Sequence, residues 1–300
     1  RYFREFEELS ILGRGGYGIV YQVKHRLDSQ FYAVKKRGHA ELDQVLRELR
    51  TLARLDHPNI VRYYAGWIDR GVDASASIVS SAERANFGAS TLAIHMQMSL
   101  HPMTLAEFLS PPNGQSSGPG AAVPLAHCFH IGTSISIVQA IIDGLEYLHS
   151  EDIVHRDIKP GNIFLGRKDN PRSTGASVDL MLCSECRAAG HAAPIKLEVR
   201  IGDFGLVSVA DPEAPTAVGL EAVGTEMYRP VDGDRCATAL DLYALGIVMF
   251  ELCWKFDTRM ERVHVIRKLK LGEFPAGFAE RLGRKCGTTM MECIAVMMAD

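Results

Sequence analysis

The sequence has no apolar run long enough to span a bilayer, no net basic charge and no regular set of cysteines. Its longest apolar stretch, residues 239–254, contains Asp241 and Glu251 and therefore predicts a buried helix. A net charge of −3 offers no bulk attraction to nucleic acid or to an anionic membrane. The seven cysteines form no even framework, and the opening residues contain no signal-peptide core. These absences favour a reduced, cytoplasmic compartment without a membrane segment or a direct nucleic-acid site.

The chain changes character near residue 100. Residues 1–98 predict five strands and one helix (40–55), whereas residues 99–300 predict mostly helices, over 130–150, 239–254 and 258–271. Three segments, about 70–90, 110–124 and 166–196, lack any clear period and are predicted to be surface insertions. The third contains Cys183 and Cys186, which we interpret as loop thiols because a zinc site needs a second ligand pair.

A glycine-rich stretch, GRGGYGIV (13–20), carries Gly13, Gly15 and Gly18 with G-x-G-x-x-G spacing. A dinucleotide-binding fold uses the same spacing, but there the glycines open a helix. Here Gly18 leads directly into β-branched Ile19 and Val20, so the turn is predicted to join two strands. Glycines in such a hairpin allow backbone N–H groups to approach phosphate oxygens without a Cβ in the way.

A lysine follows on the next predicted strand. The ammonium of Lys35 is a point charge suited to phosphates, and it needs a carboxylate to orient it. Glu48 and Glu41 both lie on the predicted helix, and Glu41 lies near its start, where acids also serve as caps.

The stretch VHRDIKPGNIF (154–164) places an acid, a base and an amide on a loop between two predicted buried strands. Asp157 can accept or orient a hydroxyl proton, Lys159 can neutralise a transferring phosphate, and Asn162 can hold a metal through its carbonyl oxygen. Asp203, in the sequence GDFG, follows another buried strand and suits a magnesium ligand. These residue types supply the positioning and charge neutralisation that phosphoryl transfer needs.

Taken in order, the glycine loop, Lys35, Glu48, His155-Arg156-Asp157, Asn162 and Asp203-Phe204-Gly205 resemble the motifs of the eukaryotic protein kinase family. The resemblance covers nearly the whole chain and selects Glu48 over Glu41. It implies an α+β, two-lobed fold with an antiparallel sheet plus one helix in the N-lobe, a mostly helical C-lobe, and ATP with Mg²⁺ in the cleft. It implies Asp157, Lys159 and Asn162 as catalytic residues and Asn162 and Asp203 as metal ligands. The implied ATP-binding residues are Gly13, Gly15, Gly18, Val20, Ala33, Lys35, Glu48, the gatekeeper Met96, and the hinge residues Gln97, Met98 and Ser99.

Lys159, together with Thr225 in GTEMY, resembles the serine/threonine class. The stretch FELCWKFDTRMERVHVIRKLKLGEFP (250–275) is similar to the kinases of translation initiation factor two, alpha subunit, which restrain translation under stress. Met260, Val263, Ile266 and Leu269 are predicted to form the apolar face of its helix. In that family the opposite face docks the substrate, so Thr258, Glu261 and Arg262 are docking candidates, although charged residues there also suit a solvated surface. These kinases pair back-to-back through the N-lobe, and Arg1, Glu5 and Tyr63 fall at the matching positions.

The sequence departs from the kinase pattern after Thr225. Val231 stands where the family has a glutamate, and the chain ends before the arginine that pairs with it, so the C-lobe is expected to be truncated. Thr216 is the only hydroxyl between Asp211 and Thr225, so regulation by phosphorylation of this activation segment is in question. Two alternatives therefore stay open: an inhibitory cell-cycle kinase of the Wee-like group, and a pseudokinase that binds nucleotide as a regulatory module.

Overall fold

The structure is a computed structural model in which the chain forms two compact units, Arg1–His101 and Pro102–Asp300. It describes residues 1–15, 18–38, 46, 49–70, 92–110, 127–167, 178–180, 195–204, 208–209, 226–230 and 236–299. The first unit is built on an antiparallel sheet and the second is mostly helical, which confirms the predicted α+β kinase fold class.

The first unit contains a five-stranded sheet with the order β1-β2-β3-β5-β4, in which all neighbouring strands are antiparallel. A short helix precedes it, and the elements are α1 (Tyr2–Glu5), β1 (Phe6–Gly15), β2 (Gly18–His25), β3 (Phe31–Gly38), β4 (Tyr63–Arg70) and β5 (Leu92–Ser99). The predicted strand at 59–69 begins four residues later than expected. Of the helix predicted at 40–55, the structure describes helical residues at 46 and 49–52.

Aromatic side chains cover one face of this sheet. Tyr2, Phe6, Val23, Val34 and Trp67 form a buried cluster. The rings of Phe6 and Trp67 stack with centroids 5.6 Å apart, and the Trp67 ring stacks on buried His95 at 5.3 Å. Burial lowers the pKa of His95 to about 4, so the imidazole is neutral in this stack.

The second unit contains six helices among its described residues: α2 (Leu105–Leu109), α3 (Ile131–Ser150), α4 (Ala237–Cys253), α5 (Arg259–Leu269), α6 (Phe278–Arg281) and α7 (Arg284–Met298). Helix α4 is buried on nearly every side from Asp241 to Cys253, because its sequence is apolar all round apart from two acids. No helix in the described residues combines the length and the apolarity needed to cross a bilayer.

Small sheets complete the second unit. One has the strand order β6-β8-β10-β9, with β6 (Met103–Thr104), β8 (Ile163–Arg167), β9 (Val178–Leu180) and β10 (Ile195–Ile201). The other pairs β7 (Ile153–Val154) with β11 (Ser208–Val209). Within the predicted insertion at 166–196, the two ends and residues 178–180 belong to paired strands. The predicted insertions at 70–90 and 110–124, and Cys183 and Cys186, lie largely or wholly outside the described residues.

A buried histidine makes the stability of the second unit sensitive to pH. His127 Nε2 donates to the carbonyl oxygen of Leu252 at 2.8 Å, and Nδ1 has no partner among the described residues. Burial lowers the pKa of His127 from 6.5 to about 4. The unfolded chain therefore binds the proton more tightly than the folded one between these values. The stabilisation is complete above pH 6.5 and is lost as the pH falls towards 4.

We expect His127 to contribute a loss of about 2 kcal/mol in unfolding free energy between pH 7 and pH 5. Urea unfolding of the wild type and of His127→Gln, measured across this range, isolates that slope because the glutamine does not titrate. His264→Gln, at an exposed position on α5, is the matched control and should keep the wild-type slope. Equal slopes for wild type and His127→Gln would contradict this account.

Candidate active site

The glycine-rich stretch is a hairpin between β1 and β2. Gly13 pairs with Val20 and Gly15 with Gly18, and only residues 16–17 at the tip lie outside the described residues. Gly18 has a φ of 111°, and a Cβ there would lie 2.2 Å from the carbonyl oxygen of Lys36. A side chain at this position is therefore excluded both by conformation and by space. The strand–turn–strand interpretation is confirmed, and the helix that a dinucleotide fold requires is not found here.

The side chains predicted to bind ATP share one face of the sheet. Val20 lies opposite Lys35, and Lys35 lies opposite Met96 on β5. Ala33, two residues before Lys35, lies opposite Met98 in the same way. Because opposed residues and residues two apart along a strand point to the same side, these five side chains line a single surface. This is the face opposite the aromatic cluster.

Lys35 lies in the buried part of this surface, at 5% exposure. Ile94 and Met96 form a second buried cluster on this face, with Leu49 of the helical segment and Tyr63 packed against it. The segment that carries Leu49 therefore packs on the side of the sheet that Lys35 occupies. Glu48, the predicted partner of Lys35, lies outside the described residues.

The predicted hinge residues end β5. Gln97 lies opposite Val34 and so projects to the face away from Lys35. The Ser99 hydroxyl accepts a hydrogen bond from the backbone N–H of Arg62 at 3.1 Å and contacts His101 Nε2 at 2.9 Å. These bonds fix the end of the strand.

In the second unit, the loop between β7 and β8 brings Asp157, Lys159 and Asn162 together. Lys159 Nζ donates to Asp157 Oδ2 at 2.6 Å, and Asn162 Nδ2 donates to the same oxygen at 2.9 Å. Asn162 Nδ2 also donates to the backbone carbonyl of Asp157 at 2.8 Å. The Asp157 side chain is only 10% exposed, so these charge-assisted bonds hold it in one orientation.

Strand pairing brings Asp203 to the end of the same loop. Ile163 on β8 pairs with Ile201 on β10, and the N–H of Gly202 donates to the carbonyl of Asn162 at 3.0 Å. Asp203 follows at once, exposed and with a φ of 61°. This left-handed conformation turns the chain sharply after the buried strand.

A buried histidine links these two segments. His155 Nδ1 accepts from the N–H of Asp157 at 3.3 Å, so Nε2 carries the proton and donates to the carbonyl of Gly202 at 3.0 Å. Its ring lies 5.2 Å from the ring of Phe204, which is also buried. The loop and the Asp203 segment are therefore held against each other through one imidazole.

Sequence reasoning missed the residue that anchors this loop. Asp241 on α4 is 1% exposed, and it accepts the backbone N–H of His155 at 2.9 Å and that of Arg156 at 2.7 Å. His149 Nε2 adds a third bond at 3.0 Å. An acid inside an otherwise apolar helix was the available signal, since a buried carboxylate requires donors.

Two side chains of the described residues suit the metal that the resemblance implies. Because the Nδ2 of Asn162 donates to Asp157, its Oδ1 is the atom that would coordinate a cation, and the exposed Asp203 supplies a carboxylate. Such a pair suits Mg²⁺, which takes few protein ligands and completes its shell with phosphate oxygens and water. The described residues contain no cluster of three or more His, Cys, Asp or Glu that could hold a metal.

The three docking candidates at the start of α5 are all engaged within the chain. Thr258 caps the helix by accepting from the N–H of Glu261 at 3.0 Å, and Glu261 accepts from the N–H of Asp257 at 2.8 Å. Arg262 donates to Glu251, which is buried. Thr258 is exposed, whereas Arg262 is turned towards the protein.

The predicted apolar face of α5 is corrected at two positions. Ile266 and Leu269 are buried as expected, but Met260 is 84% exposed. At 100° per residue, Arg262 lies about 40° from Ile266 around the helix and Met260 about 120° from it. The buried face therefore contains Arg262, and the hydrophobic residue at 260 falls outside it.

The residues predicted to form a dimer interface have contacts within the chain. Arg1 Nε donates to Glu5 at 2.8 Å within one chain, and both side chains are partly exposed. Tyr63 packs against the cluster of Ile94 and Met96. Thr216, Thr225 and Val231 lie outside the described residues.

Comparison with known proteins agrees with this geometry. The protein kinase domain family matches residues 6–270. The chain is 27% identical to the eIF-2-alpha kinase GCN2 of Schizosaccharomyces pombe, over 93% of this chain and 21% of that protein. It is 26% identical to the eukaryotic translation initiation factor 2-alpha kinase 1 of Rattus norvegicus, over 94% and 63%, and 30% identical to the eIF-2-alpha kinase GCN2 of Arabidopsis thaliana, over 92% and 22%.

The chain therefore spans between about a fifth and two thirds of the length of these relatives. The match to the family covers most of the chain, and the ATP-using activity of the family is that of a phosphotransferase. The chain belongs to the protein kinase domain family, and the curated proteins that it resembles include eIF2-alpha kinases.

Proposed function

We propose that Asp157, Lys159 and Asn162 carry the transfer of the γ-phosphate of ATP to a serine or threonine hydroxyl. The supporting observation is that Lys159 Nζ and Asn162 Nδ2 both donate to one carboxylate oxygen of Asp157. Held in this way, Asp157 can orient the substrate hydroxyl and accept its proton. Lys159, already beside that carboxylate, can neutralise charge on the transferring group.

The nucleotide is proposed to bind on the surface formed by the glycine hairpin, Val20, Ala33 and Lys35, with Lys35 next to its phosphates. Asn162 and Asp203 are the proposed ligands of Mg²⁺. When bound, the metal neutralises the negative charge of the phosphates and fixes their orientation. The chain itself contributes orientation, because the Asn162 amide is held by Asp157 and the strand that leads to Asp203 is held by the pairing of Ile201 with Ile163.

The proposed protein substrate is the alpha subunit of translation initiation factor two. Support comes from the names of the relatives, three of which are kinases of this factor from fungal, animal and plant sources. The resemblance of residues 250–275 to the same group adds a second argument from the sequence. A substrate of this kind implies action in the cytoplasm.

We expect Asp157→Asn to lower kcat by about 10² to 10⁴, because it removes the proton acceptor and retains the shape. The measurement is phosphate transfer to the purified alpha subunit, with nucleotide binding and the melting temperature recorded for both proteins. Activity that survives this substitution would contradict the catalytic role, whereas a wild-type chain that binds nucleotide without transferring phosphate would favour the regulatory-module alternative. Transfer to generic substrates without transfer to the alpha subunit would overturn the substrate proposal, and transfer to a tyrosine of a cyclin-dependent kinase would favour the Wee-like alternative.

The start of helix α5 is proposed to dock this substrate, with Thr258 and Glu261 as the contacting residues. The test must separate docking from capping, since both residues form the capping box. Thr258→Asp retains an effective N-cap but adds a charge to the exposed surface. We expect it to raise KM for the alpha subunit about tenfold with an unchanged melting temperature. Thr258→Ser is the control and should behave as wild type. An unchanged KM in Thr258→Asp would restrict Thr258 to its capping role.

We also propose that two copies pair back-to-back through the first unit. Its surface carries large exposed apolar side chains, including that of Phe3, which is 61% exposed and lies two residues from both Arg1 and Glu5 in sequence. A surface ion pair contributes only about 0.5 kcal/mol, so the apolar residues would supply most of the stabilisation.

We expect Glu5→Lys to weaken dimerisation, because it places two cations side by side. Sedimentation equilibrium measures the dissociation constant. The exchange Arg1→Glu with Glu5→Lys restores opposite charges and should restore pairing. A wild-type chain that remains monomeric would contradict the proposal.

A further inference from the structure

Three buried or half-buried side chains form a closed hydrogen-bond network in the second unit. Tyr228 Oη donates to Glu251 Oε2 at 2.6 Å, Arg262 Nε donates to Glu251 Oε1, and Arg262 Nη2 donates to Tyr228 Oη at 2.5 Å. Glu251 is 3% exposed and Tyr228 is 7% exposed. Both oxygens of the carboxylate and the tyrosine hydroxyl are thus satisfied by one another and by one guanidinium fork.

The network joins three separate elements of the chain. Tyr228 lies on the short 3-10 turn Glu226–Tyr228, Glu251 on α4, and Arg262 on α5. Glu251 lies on the buried helix α4, whereas its two partners belong to the turn and to α5. A carboxylate in such a position is costly to bury unless its partners are present, so the arrangement favours one placement of the turn relative to α5.

A second bond ties the other end of α5 to the same turn. Lys270, immediately after the helix, donates from Nζ to the carbonyl oxygen of Glu226 at 3.0 Å. The helix is therefore attached to the turn near both of its ends, by Arg262 and by Lys270. The two bonds are eight residues apart along the chain, so together they restrain rotation of α5 as well as its distance from the turn.

The sequence next to the turn Glu226–Tyr228 lacks one ion pair of the kinase pattern. The turn directly follows Thr225 of the activation segment and precedes Val231, which stands in place of the usual glutamate. The ion pair which that glutamate would form is therefore not available to this segment. Some other contact must hold the residues between Thr225 and Val231 against the helices.

We propose that Arg262 is a positioning residue that, through Glu251 and Tyr228, fastens the turn Glu226–Tyr228 to helices α4 and α5 in the arrangement needed to bind a protein substrate. Arg262 thus acts from within the protein and does not itself touch the substrate. The inference rests on the serine/threonine kinase activity and is independent of which substrate is the physiological one.

The test compares the half-buried Arg262 with Glu251 and Tyr228, which are buried and therefore cannot reach a docked protein. Glu251→Gln, Tyr228→Phe and Arg262→Gln are compared with wild type, with myelin basic protein as a generic substrate. We expect each variant to raise KM for this protein about tenfold while KM for ATP stays unchanged. Arg262→Lys, which retains the charge and loses the fork, should recover part of the effect. Arg259→Ala, at an exposed position on the same helix, is the matched control and should behave as wild type.

The double variant Glu251→Gln with Arg262→Gln guards against a failure to fold, because it leaves no unpaired buried charge. We expect its KM to equal that of the single variants, as coupled residues are not additive. A wild-type KM in Glu251→Gln together with a raised KM in Arg262→Gln would overturn the proposal and make Arg262 a direct docking residue. A lower kcat with both KM values unchanged would also overturn it, since that pattern reports only a smaller folded fraction. Failure of the substrate proposal is distinguishable from failure of this one. It would appear as a lack of phosphate transfer to the alpha subunit, while the KM values measured with myelin basic protein would be unaffected.

Discussion

The carboxylate of Asp241 is the contact on which the loop of Asp157, Lys159 and Asn162 depends. It accepts two successive backbone N–H groups, from His155 and Arg156, at 2.9 and 2.7 Å. Arg156 has a φ of 67°, a conformation that costs a non-glycine residue about 1–2 kcal/mol. Hydrogen bonds to a charged group contribute about 1.5–3 kcal/mol each, so the pair outweighs that cost. The left-handed turn is stable because Asp241 is there, and this turn sets the direction in which the chain delivers Asp157.

The same turn makes the loop and the segment of Asp203 interdependent. His155 is held by Asp241 through its backbone, and its ring then bonds the N–H of Asp157 on one side and the carbonyl of Gly202 on the other. One imidazole therefore sets the spacing between the segment of Asp157 and the segment of Asp203. If both carboxylates act on one phosphate group, as proposed, they need such a shared support, because an error of about 1 Å in their placement is expensive for catalysis. The hydrogen bond from the N–H of Gly202 to the carbonyl oxygen of Asn162 restrains the same spacing from the other end of the loop.

Local patterns in the sequence predicted much of this arrangement. Alternation along β3 was enough to place Ala33 and Lys35 on one face, and β-branched residues after Gly18 were enough to distinguish a hairpin from a helix. Local patterns did not predict the roles of Asp241 and Arg262, because each role depends on contacts between residues far apart in sequence. Asp241 lies 84 residues from Asp157, within a stretch interpreted only as a buried helix. Arg262 was assigned to the outer surface by residue type, although the helical period places it beside Ile266 and so towards the core.

The two acids of helix α4 show how a buried helix can position a site. Asp241 and Glu251 are the only charged residues between Ala237 and Cys253, and both are at most 3% exposed. At 1.5 Å per residue they lie about 15 Å apart along the axis, so they cannot satisfy each other and each must recruit its own donors. Asp241 recruits the backbone of the catalytic loop, and Glu251 recruits Tyr228 and Arg262. An apolar residue at position 241 would leave the N–H groups of His155 and Arg156 without this acceptor, and one at position 251 would do the same to Tyr228 and Arg262. Each acid therefore fixes the placement of the segment that donates to it.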